Sequence, residues 1–172
     1  MINARAETVA GKPSFRAAFK RRRCLIPADG FYEWKREGKT KQPYLITLRE
    51  ERPFAFAGLW ERWRADDGSE IESCTIITTE ANLRMRELHD RMPVILPENV
   101  YDVWLDKDLR EPEALKPILV PYPDDEITFR PVSTFVNNAR NDSPQCIEVC
   151  ASRKLVGNLG EYRCGRDIKG IR

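Results

Sequence analysis

The sequence predicts an α+β fold: a single domain with a mainly antiparallel, barrel-like β-sheet and a few short helices. Three observations support this class. The chain has 172 residues, which is the size of one ordinary domain with a core of its own. Several segments rich in β-branched and aromatic residues follow one another with short turns between them. Amphipathic helical spacing is confined to short stretches.

The first element is a short amphipathic helix after Pro13. Phe15, Ala18 and Phe19 fall at positions i, i+3 and i+4, so they share one face while basic residues lie on the other. The spacing predicts that this helix stops near Arg23.

Extended segments follow the helix. The turns GKTKQ and ADDGSE separate them, and their β-branched and aromatic content favours strands. Successive strands joined by short turns imply antiparallel pairing. In chain order the segments are CLIPADGFYEW (24–34), PYLITL (43–48), FAFAGLWERW (54–63) and IESCTIITT (71–79).

The next stretch predicts a second helix. Thr79 suits an N-cap for a helix over EANLRMREL (80–88), in which Ala81, Met85 and Leu88 share a face. This helix ends where the only histidine of the chain, His89, begins.

Short elements complete the domain. Pro97 opens a further helix whose inward residues are Val100, Val103 and Trp104. The remaining elements are a short apolar strand RMPVIL (91–96), one or two helical turns over EALKPIL (113–119) and a last strand ITFRPVSTFV (127–136).

The composition is that of a soluble globular protein. Hydrophobic residues make up 41% and charged residues 33%, and the net charge is only +2. No apolar run approaches the ~20 residues of a membrane helix, and the start MINARAETVAG lacks the apolar region of a secretory signal. We therefore expect a cytoplasmic monomer with no membrane partner, built as one domain over residues 1–150 and a basic, flexible tail over 151–172.

The cysteine pattern favours reduced thiols. The five cysteines are odd in number, unevenly spaced and contain no C-x-x-C pair. With one histidine in the chain they make a poor zinc site, so we expect neither a metal nor a cofactor. The cysteines are Cys24, Cys74, Cys146, Cys150 and Cys164.

Positive charge is concentrated in two places. The stretch FRAAFKRRR (15–23) holds five basic residues, and the tail from residue 152 onward is also basic. Such clusters can neutralise phosphates. From the charges alone, a solvated helix face and a frayed terminus are the favoured explanation.

Two titratable residues have positions that suit chemistry. His89 lies at a helix-to-strand junction beside Asp90 and Arg91, where it can act as an acid or base or simply cap a helix end. Glu33 lies between two aromatic residues that could desolvate it for proton transfer. Regular strand alternation would instead leave Glu33 on the wet face of a sheet.

The remaining sequence features narrow the function without identifying it. Trp34, Trp60 and Trp63 could stack on unpaired bases, although core packing is the simpler explanation. The sequence contains no Walker loop, G-x-S-x-G elbow or H-E-x-x-H, which removes the commonest nucleotide, esterase and protease sites.

Four stretches, in the same order, resemble one family. NARAET (3–8), RRCLIPADGFYEWK (22–35), CTIITTEAN (74–82) and LHDRMPVIL (88–96) are similar to the SRAP (SOS response-associated peptidase) domain over residues 1 to about 150. The resemblance implies an SRAP-like α+β domain that acts in the DNA damage response. Such a domain recognises single-stranded DNA bearing an abasic site and captures it covalently.

The resemblance also implies roles for particular residues. In the family, self-cleavage of the initiator Met exposes an N-terminal cysteine, whose amine forms a Schiff base with the abasic aldehyde and whose thiol closes a thiazolidine ring. The position matching Asn3 orients the nucleophile, that of Glu33 transfers protons, and that of His89 assists sugar opening and imine formation. The residues expected to bind DNA are Arg5, Trp34, Thr78 and Arg91.

The sequence departs from the family pattern at its beginning. The family begins Met-Cys-Gly-Arg and continues through further strands, whereas this chain starts at the NARAET motif. Cys164 of the internal CGR cannot replace the missing cysteine, because its nitrogen is in a peptide bond. Either the chain is a fragment or comes from a mis-started reading frame, or it is a homologue that keeps the binding groove without covalent capture. One alternative is a non-catalytic single-stranded DNA-binding module. Another is a thiol hydrolase that pairs Cys24 or Cys74 with His89. The preceding arginines could lower the pKa of Cys24, but its apolar CLIP context is more typical of a buried structural thiol, so this alternative ranks last.

Overall fold

A computed structural model of the chain describes residues 1–150, which form two β-sheets and a few short helices. The strands are β1 (Asn3–Arg5), β2 (Arg23–Ala28), β3 (Phe31–Glu37), β4 (Thr40–Leu48), β5 (Phe54–Arg64), β6 (Glu70–Glu80), β7 (Arg91–Pro93), β8 (Ile95–Leu96) and β9 (Ile127–Pro131). The α-helices are α1 (Pro13–Arg21), α2 (Tyr101–Leu105) and α3 (Pro112–Leu115). The basic tail and Cys164 lie outside the described residues.

The first sheet has six strands. Its order is β1-β6-β5-β2, with β7 paired to β6 and β8 paired to β5. The pairing of β1 with β6 is parallel and places Asn3 opposite Ile76 and Arg5 opposite Thr78. The other pairings of this sheet are antiparallel. The second sheet, β3-β4-β9, is antiparallel throughout.

The first sheet lies in the middle of the molecule and buries both faces. One face carries Leu59 and Ile77 against α1 and α2, where Phe19 and Trp104 meet edge to face with ring centroids 6.0 Å apart. The other face packs on the second sheet through residues such as Phe56 and Ile46. Each fully buried large apolar side chain contributes roughly 1.5–3 kcal/mol. The predicted α+β class with mainly antiparallel pairing is confirmed.

The link from β2 to β3 passes very close to the second sheet. A Cβ on Gly30 would lie 2.9 Å from the carbonyl oxygen of Ile46, closer than real Cβ atoms come to backbone. Glycine is therefore required where the chain crosses from one sheet to the other. This crossing determines where β3, and with it Glu33, enters the second sheet.

The predicted helix over residues 80–88 is wrong. Strand β6 continues to Glu80, and only a short 3₁₀ turn, Met85–Glu87, follows. Thr79 is buried in the strand, and Asn82 acts as the cap instead, since its Oδ1 accepts the Met85 N–H at 2.8 Å. The spacing of Ala81, Met85 and Leu88 correctly marks a buried side, because a 3₁₀ turn also presents such residues to a core.

Two predictions about buried side chains need correction. Val103, expected to point inward, is 41% exposed, whereas its neighbour Trp104 is fully buried. Trp60 and Trp63 are not core residues, since they are 38% and 58% exposed on the half of the β5–β6 hairpin that extends beyond the core. Only the helical turn that contains Trp104 contributes to the core as the sequence predicts.

Arg23 stands apart from the other arginines in its run. It is buried, and its guanidinium donates to the carbonyl oxygens of Phe19 and Trp104 at 2.8 and 2.6 Å. The same group also donates to the carbonyl oxygens of Asp106 and Leu109. Burial lowers the pKa of Arg23, and the nearby Asp106 opposes this. Arg23 therefore ties the ends of α1 and α2 together and is not available to a ligand.

No helix in the described part of the chain is long and apolar enough to cross a membrane.

Candidate functional site

A cleft of about 620 Å³ opens beside the second sheet, where the β3–β4 hairpin approaches the loop after the Met85–Glu87 turn. It brings together side chains from three separate parts of the sequence. The residues that line it are Glu33, Trp34, Arg36, Lys41, Leu88, His89 and Asn137.

Glu33 faces inward rather than toward the wet side of the sheet. It shares its side of β3 with Phe31, which packs against the core between the two sheets, and it pairs with the half-buried Tyr44 on β4. The carboxylate is half-buried, and its Oε1 accepts the backbone N–H of Trp34 at 3.0 Å. Glu33 thus lies at the edge of the core between the two sheets and lines the cleft.

His89 is held through its backbone and through one ring nitrogen. Its backbone N–H donates to the carbonyl oxygen of Met85 at 2.9 Å, and its Nδ1 accepts the backbone N–H of Arg91 at 3.0 Å. From this hydrogen bond we assign the proton of the neutral ring to Nε2, which can then donate. The carboxylate of Asp90 lies 3.1 Å from Nδ1 and can pair with the ring when it is protonated.

Trp34 is fixed by a hydrogen bond from a distant part of the chain. Its indole Nε1–H donates to Oδ1 of Asn137 at 2.7 Å. Asn137 closes the 3₁₀ turn Thr134–Asn137, whose first turn is capped by the Ser133 hydroxyl. The indole is 36% exposed, so one side of it is available to a ligand. A fixed, half-exposed aromatic ring is well suited to stacking.

The other predicted site residues form a second group on the first sheet. Asn3 and Arg5 are exposed on the same side of β1, and Arg5 lies opposite Thr78 on β6. Arg91 on β7 donates to the carbonyl oxygen of Thr78 at 2.6 Å. The strands β1, β6 and β7 therefore bring these four residues to neighbouring positions.

Arg91 is already neutralised within the protein. Its two terminal nitrogens pair with the two carboxylate oxygens of Glu7 at 2.8 and 3.1 Å. This hydrogen bonding is the main reason that the pKa of Glu7 is held below its ordinary value. A phosphate that bound Arg91 would have to compete with Glu7 for the guanidinium.

The structure thus divides the predicted residues between the cleft and the adjoining sheet. Glu33, Trp34 and His89 line the cleft, whereas Asn3 and Arg5 lie outside its lining on the first sheet. The hydrogen bond from Arg91 to the His89 ring joins the two groups. The chemical roles of all these residues stay predictions.

Three cleft residues were not identified from the sequence. Arg36 and Lys41 face each other across the β3–β4 hairpin, and Asn137 anchors Trp34. The signal for the two cations was present in KREGKTK (35–41), which we interpreted only as the turn GKTKQ. Asn137 carried no local signal, because its partner lies 103 positions away.

The described cysteines do not form a hydrolase site with His89. Cys24, Cys74 and Cys146 are free thiols, and neither these three nor Cys150 lines the cleft. Burial raises the pKa of Cys24, which agrees with the structural thiol that its apolar context favours and not with a thiol activated by the neighbouring arginines. Among residues 1–150, no group of three or more His, Cys, Asp or Glu side chains is placed to hold a metal ion.

Comparisons with known proteins support the resemblance. The chain is 49% identical to Abasic site processing protein YoqW of Bacillus subtilis over 149 residues, covering 86% of this chain and 66% of that protein. It is 37% identical to Abasic site processing protein HMCES of Xenopus tropicalis, covering 84% of this chain and 49% of that protein. The chain therefore spans less than two thirds of the length of either relative.

Solved structures agree with the sequence comparisons. A crystal structure of a protein from Bacteroides thetaiotaomicron superposes with a TM-score of 0.80 at 33% identity, covering 87% of this chain and 66% of that chain. One from Bordetella bronchiseptica has a TM-score of 0.68 at 34% identity, covering 76% and 64%. The sequence model described as SOS response associated peptidase (SRAP) matches residues 1–139, more than half of the chain. The chain belongs to the SRAP family.

Proposed function

We propose that the cleft binds single-stranded DNA at an abasic site and processes the lesion. The observation that carries this proposal is the convergence of Glu33 and His89 on one cleft whose wall holds the fixed indole of Trp34. The relatives named above as abasic site processing proteins support the same reading. The half-exposed indole offers a stacking surface for a base next to the lesion.

The chemistry that suits this pair is the opening of the abasic sugar. In its closed form the sugar is a hemiacetal, and opening breaks the C1′–O4′ bond while the C1′ hydroxyl becomes an aldehyde. The hydroxyl must lose a proton and O4′ must gain one. The Glu33 carboxylate accepts the first proton, and Nε2–H of His89 donates the second. General acid–base catalysis of this kind is typically worth about 10²–10⁴-fold in rate.

The aldehyde formed in this way is the substrate of an amine nucleophile. In the family pattern the nucleophile is an N-terminal cysteine, and Asn3 is the residue assigned to orient it. Asn3 lies on β1 beside the Arg5–Thr78 pair, where an exposed amide side chain can donate to and accept from a bound group. We also propose that the domain works on DNA in the cytoplasm or on the nucleoid as a monomer.

The test separates ring opening from nucleophilic attack. Methoxyamine, a small external amine, captures the aldehyde of an abasic site in single-stranded DNA, and mass spectrometry follows its rate. We expect the protein to accelerate capture at least tenfold, and Glu33→Gln or His89→Gln to remove most of the acceleration. Glu111→Gln, an exposed carboxylate remote from the cleft lining, should have no effect. Unchanged capture with either cleft variant would contradict the assigned roles.

A second candidate is a single-stranded DNA-binding module without catalysis. The exposed cations at the cleft favour it, because they suit DNA binding whether or not a lesion is present. Equal affinity for intact and abasic strands, with no acceleration of methoxyamine capture, would support this candidate. A preference for the abasic strand together with acceleration would support lesion processing.

A further inference from the structure

The β3–β4 hairpin holds two cations at the mouth of the cleft. Arg36 and Lys41 are directly opposite each other in the strand register, and both are exposed. Both side chains line the same cleft as Glu33 and His89. Residues that face each other across a hairpin have Cβ atoms about 5 Å apart, so these two long side chains can reach neighbouring phosphates of one strand.

This arrangement carries an electrostatic cost. Like charges directly opposite in a sheet destabilise it. Among the side chains that the structure describes, neither Arg36 nor Lys41 forms an ion pair. The β5–β6 hairpin differs, since Arg62 there pairs with Glu70 and Glu72.

We propose that Arg36 and Lys41 form a phosphate-binding arm of the cleft that holds the DNA backbone next to the lesion. This inference rests on the proposed function. The arm lies on the same hairpin as Trp34, so a strand whose base stacks on the indole carries its neighbouring phosphate toward the two cations. The arm adds contacts to those expected from Arg5 on the first sheet, on a different element of the fold.

The number of phosphate contacts can be measured from the salt dependence of binding. For single strands, the slope of log K against log salt changes by about 0.7 per phosphate contact, which is roughly a fivefold change in affinity at 0.1 M salt. We expect Arg36→Gln and Lys41→Gln each to flatten the slope by about 0.7 and to weaken binding about fivefold. The double variant should lose about 25-fold.

Two controls separate this arm from general electrostatics. Lys39→Gln removes a charge from the turn of the same hairpin, outside the cleft lining, and Arg62→Gln removes a cation that is already paired. Both should keep the slope within about 0.2 of the wild type. Arg36→Lys retains the positive charge and should keep most of the salt slope and affinity of the wild type. The melting temperature of the double variant should stay equal or rise, because a like-charge pair has been removed.

The outcomes distinguish the two proposals. If the wild type binds an abasic strand with a steep salt slope and the double variant keeps that slope, the phosphate-binding arm is wrong and the proposed function stands. If the wild type shows no salt-dependent binding to single-stranded DNA, the proposed function fails and the arm fails with it.

Discussion

Two segments of this chain are similarly rich in basic residues, but their side chains have different surroundings in the structure. FKRRR (19–23) ends α1, and KREGKTK (35–41) forms the β3–β4 hairpin. In the first segment, Arg23 donates its guanidinium hydrogen bonds to backbone carbonyl oxygens, and Arg22 pairs with Glu61 at 2.5 Å. In the second, Arg36 and Lys41 stand side by side at the cleft.

The difference shows that the density of charge along a sequence does not locate a binding surface. A helix end attracts cations for its own reasons, because its last carbonyls are unpaired and its dipole is negative there. A hairpin gains nothing of this kind from two facing cations. The facing cations of the hairpin, Arg36 and Lys41, are therefore a better indication of a ligand than the cations at the helix end. The strand register identifies them as neighbours.

The largest effect is expected at Arg23. Arg23→Ala should lower the free energy of unfolding by about 3 kcal/mol, because it leaves several buried carbonyl oxygens without donors. Arg21→Ala, an exposed neighbour in the same run, should change it by less than about 0.5 kcal/mol. Urea unfolding of both variants measures the contrast. Equal losses of unfolding free energy in the two variants would mean that the buried hydrogen bonds of Arg23 do not stabilise the fold.

Arg91 is paired with Glu7, so removing its partner should strengthen DNA binding, whereas removing Arg36 or Lys41 should weaken it. Glu7→Gln removes the carboxylate that occupies Arg91. We expect binding to single-stranded DNA to tighten about fivefold at 0.1 M salt, with one more phosphate contact in the salt slope. Fluorescence anisotropy checks this directly. Weaker binding of Glu7→Gln would instead show that Glu7 holds Arg91 in the orientation that DNA needs.

The same pair predicts a small dependence of stability on pH. The pKa of Glu7 is lowered in the folded protein, so its contribution is fully present above the ordinary value of 4.5 and is lost as pH falls through the lowered value. Because the pair is partly exposed, the contribution should be below about 1 kcal/mol. Wild type should therefore exceed Glu7→Gln in urea unfolding at neutral pH, and this difference should shrink as the pH falls below 4.5. A difference that does not change with pH would exclude this linkage.

The smallest effect is expected on the outer face of α1. Arg16, Lys20 and Arg21 are exposed there, and at 0.1 M salt their field is screened beyond about 10 Å. Replacing all three with Gln should leave DNA affinity within about twofold. A loss as large as that of the hairpin double variant would reverse the comparison between the two segments.

The sequence predicted most of the strands because their signals are local. β-branched content and Gly-containing turns correctly place β4, β5 and β6. It failed over residues 80–88, where spacing that suits a helix is also satisfied by a 3₁₀ turn capped by Asn82. It could not place Trp60 and Trp63, since burial depends on whether anything covers the β5–β6 hairpin.

The candidate site was predictable in part. Glu33 and His89 stood out because one lies between aromatic residues and the other is a lone histidine, and the structure brings both to the cleft. Their partners depend on contacts between distant segments. The Asn137 anchor of Trp34 follows from tertiary packing, which no local pattern encodes. The facing of Arg36 with Lys41 follows from the register of the β3–β4 hairpin, for which the turn alone was predicted.

The most direct test is to map where DNA binds. Amide chemical shifts of ¹⁵N-labelled protein would be recorded while single-stranded DNA with one abasic site is added. We predict that the largest changes fall on the β3–β4 hairpin and on residues 88–91, while α1 (Pro13–Arg21) stays unaffected. Changes concentrated on α1, with the hairpin unaffected, would contradict the assignment of the cleft as the DNA site.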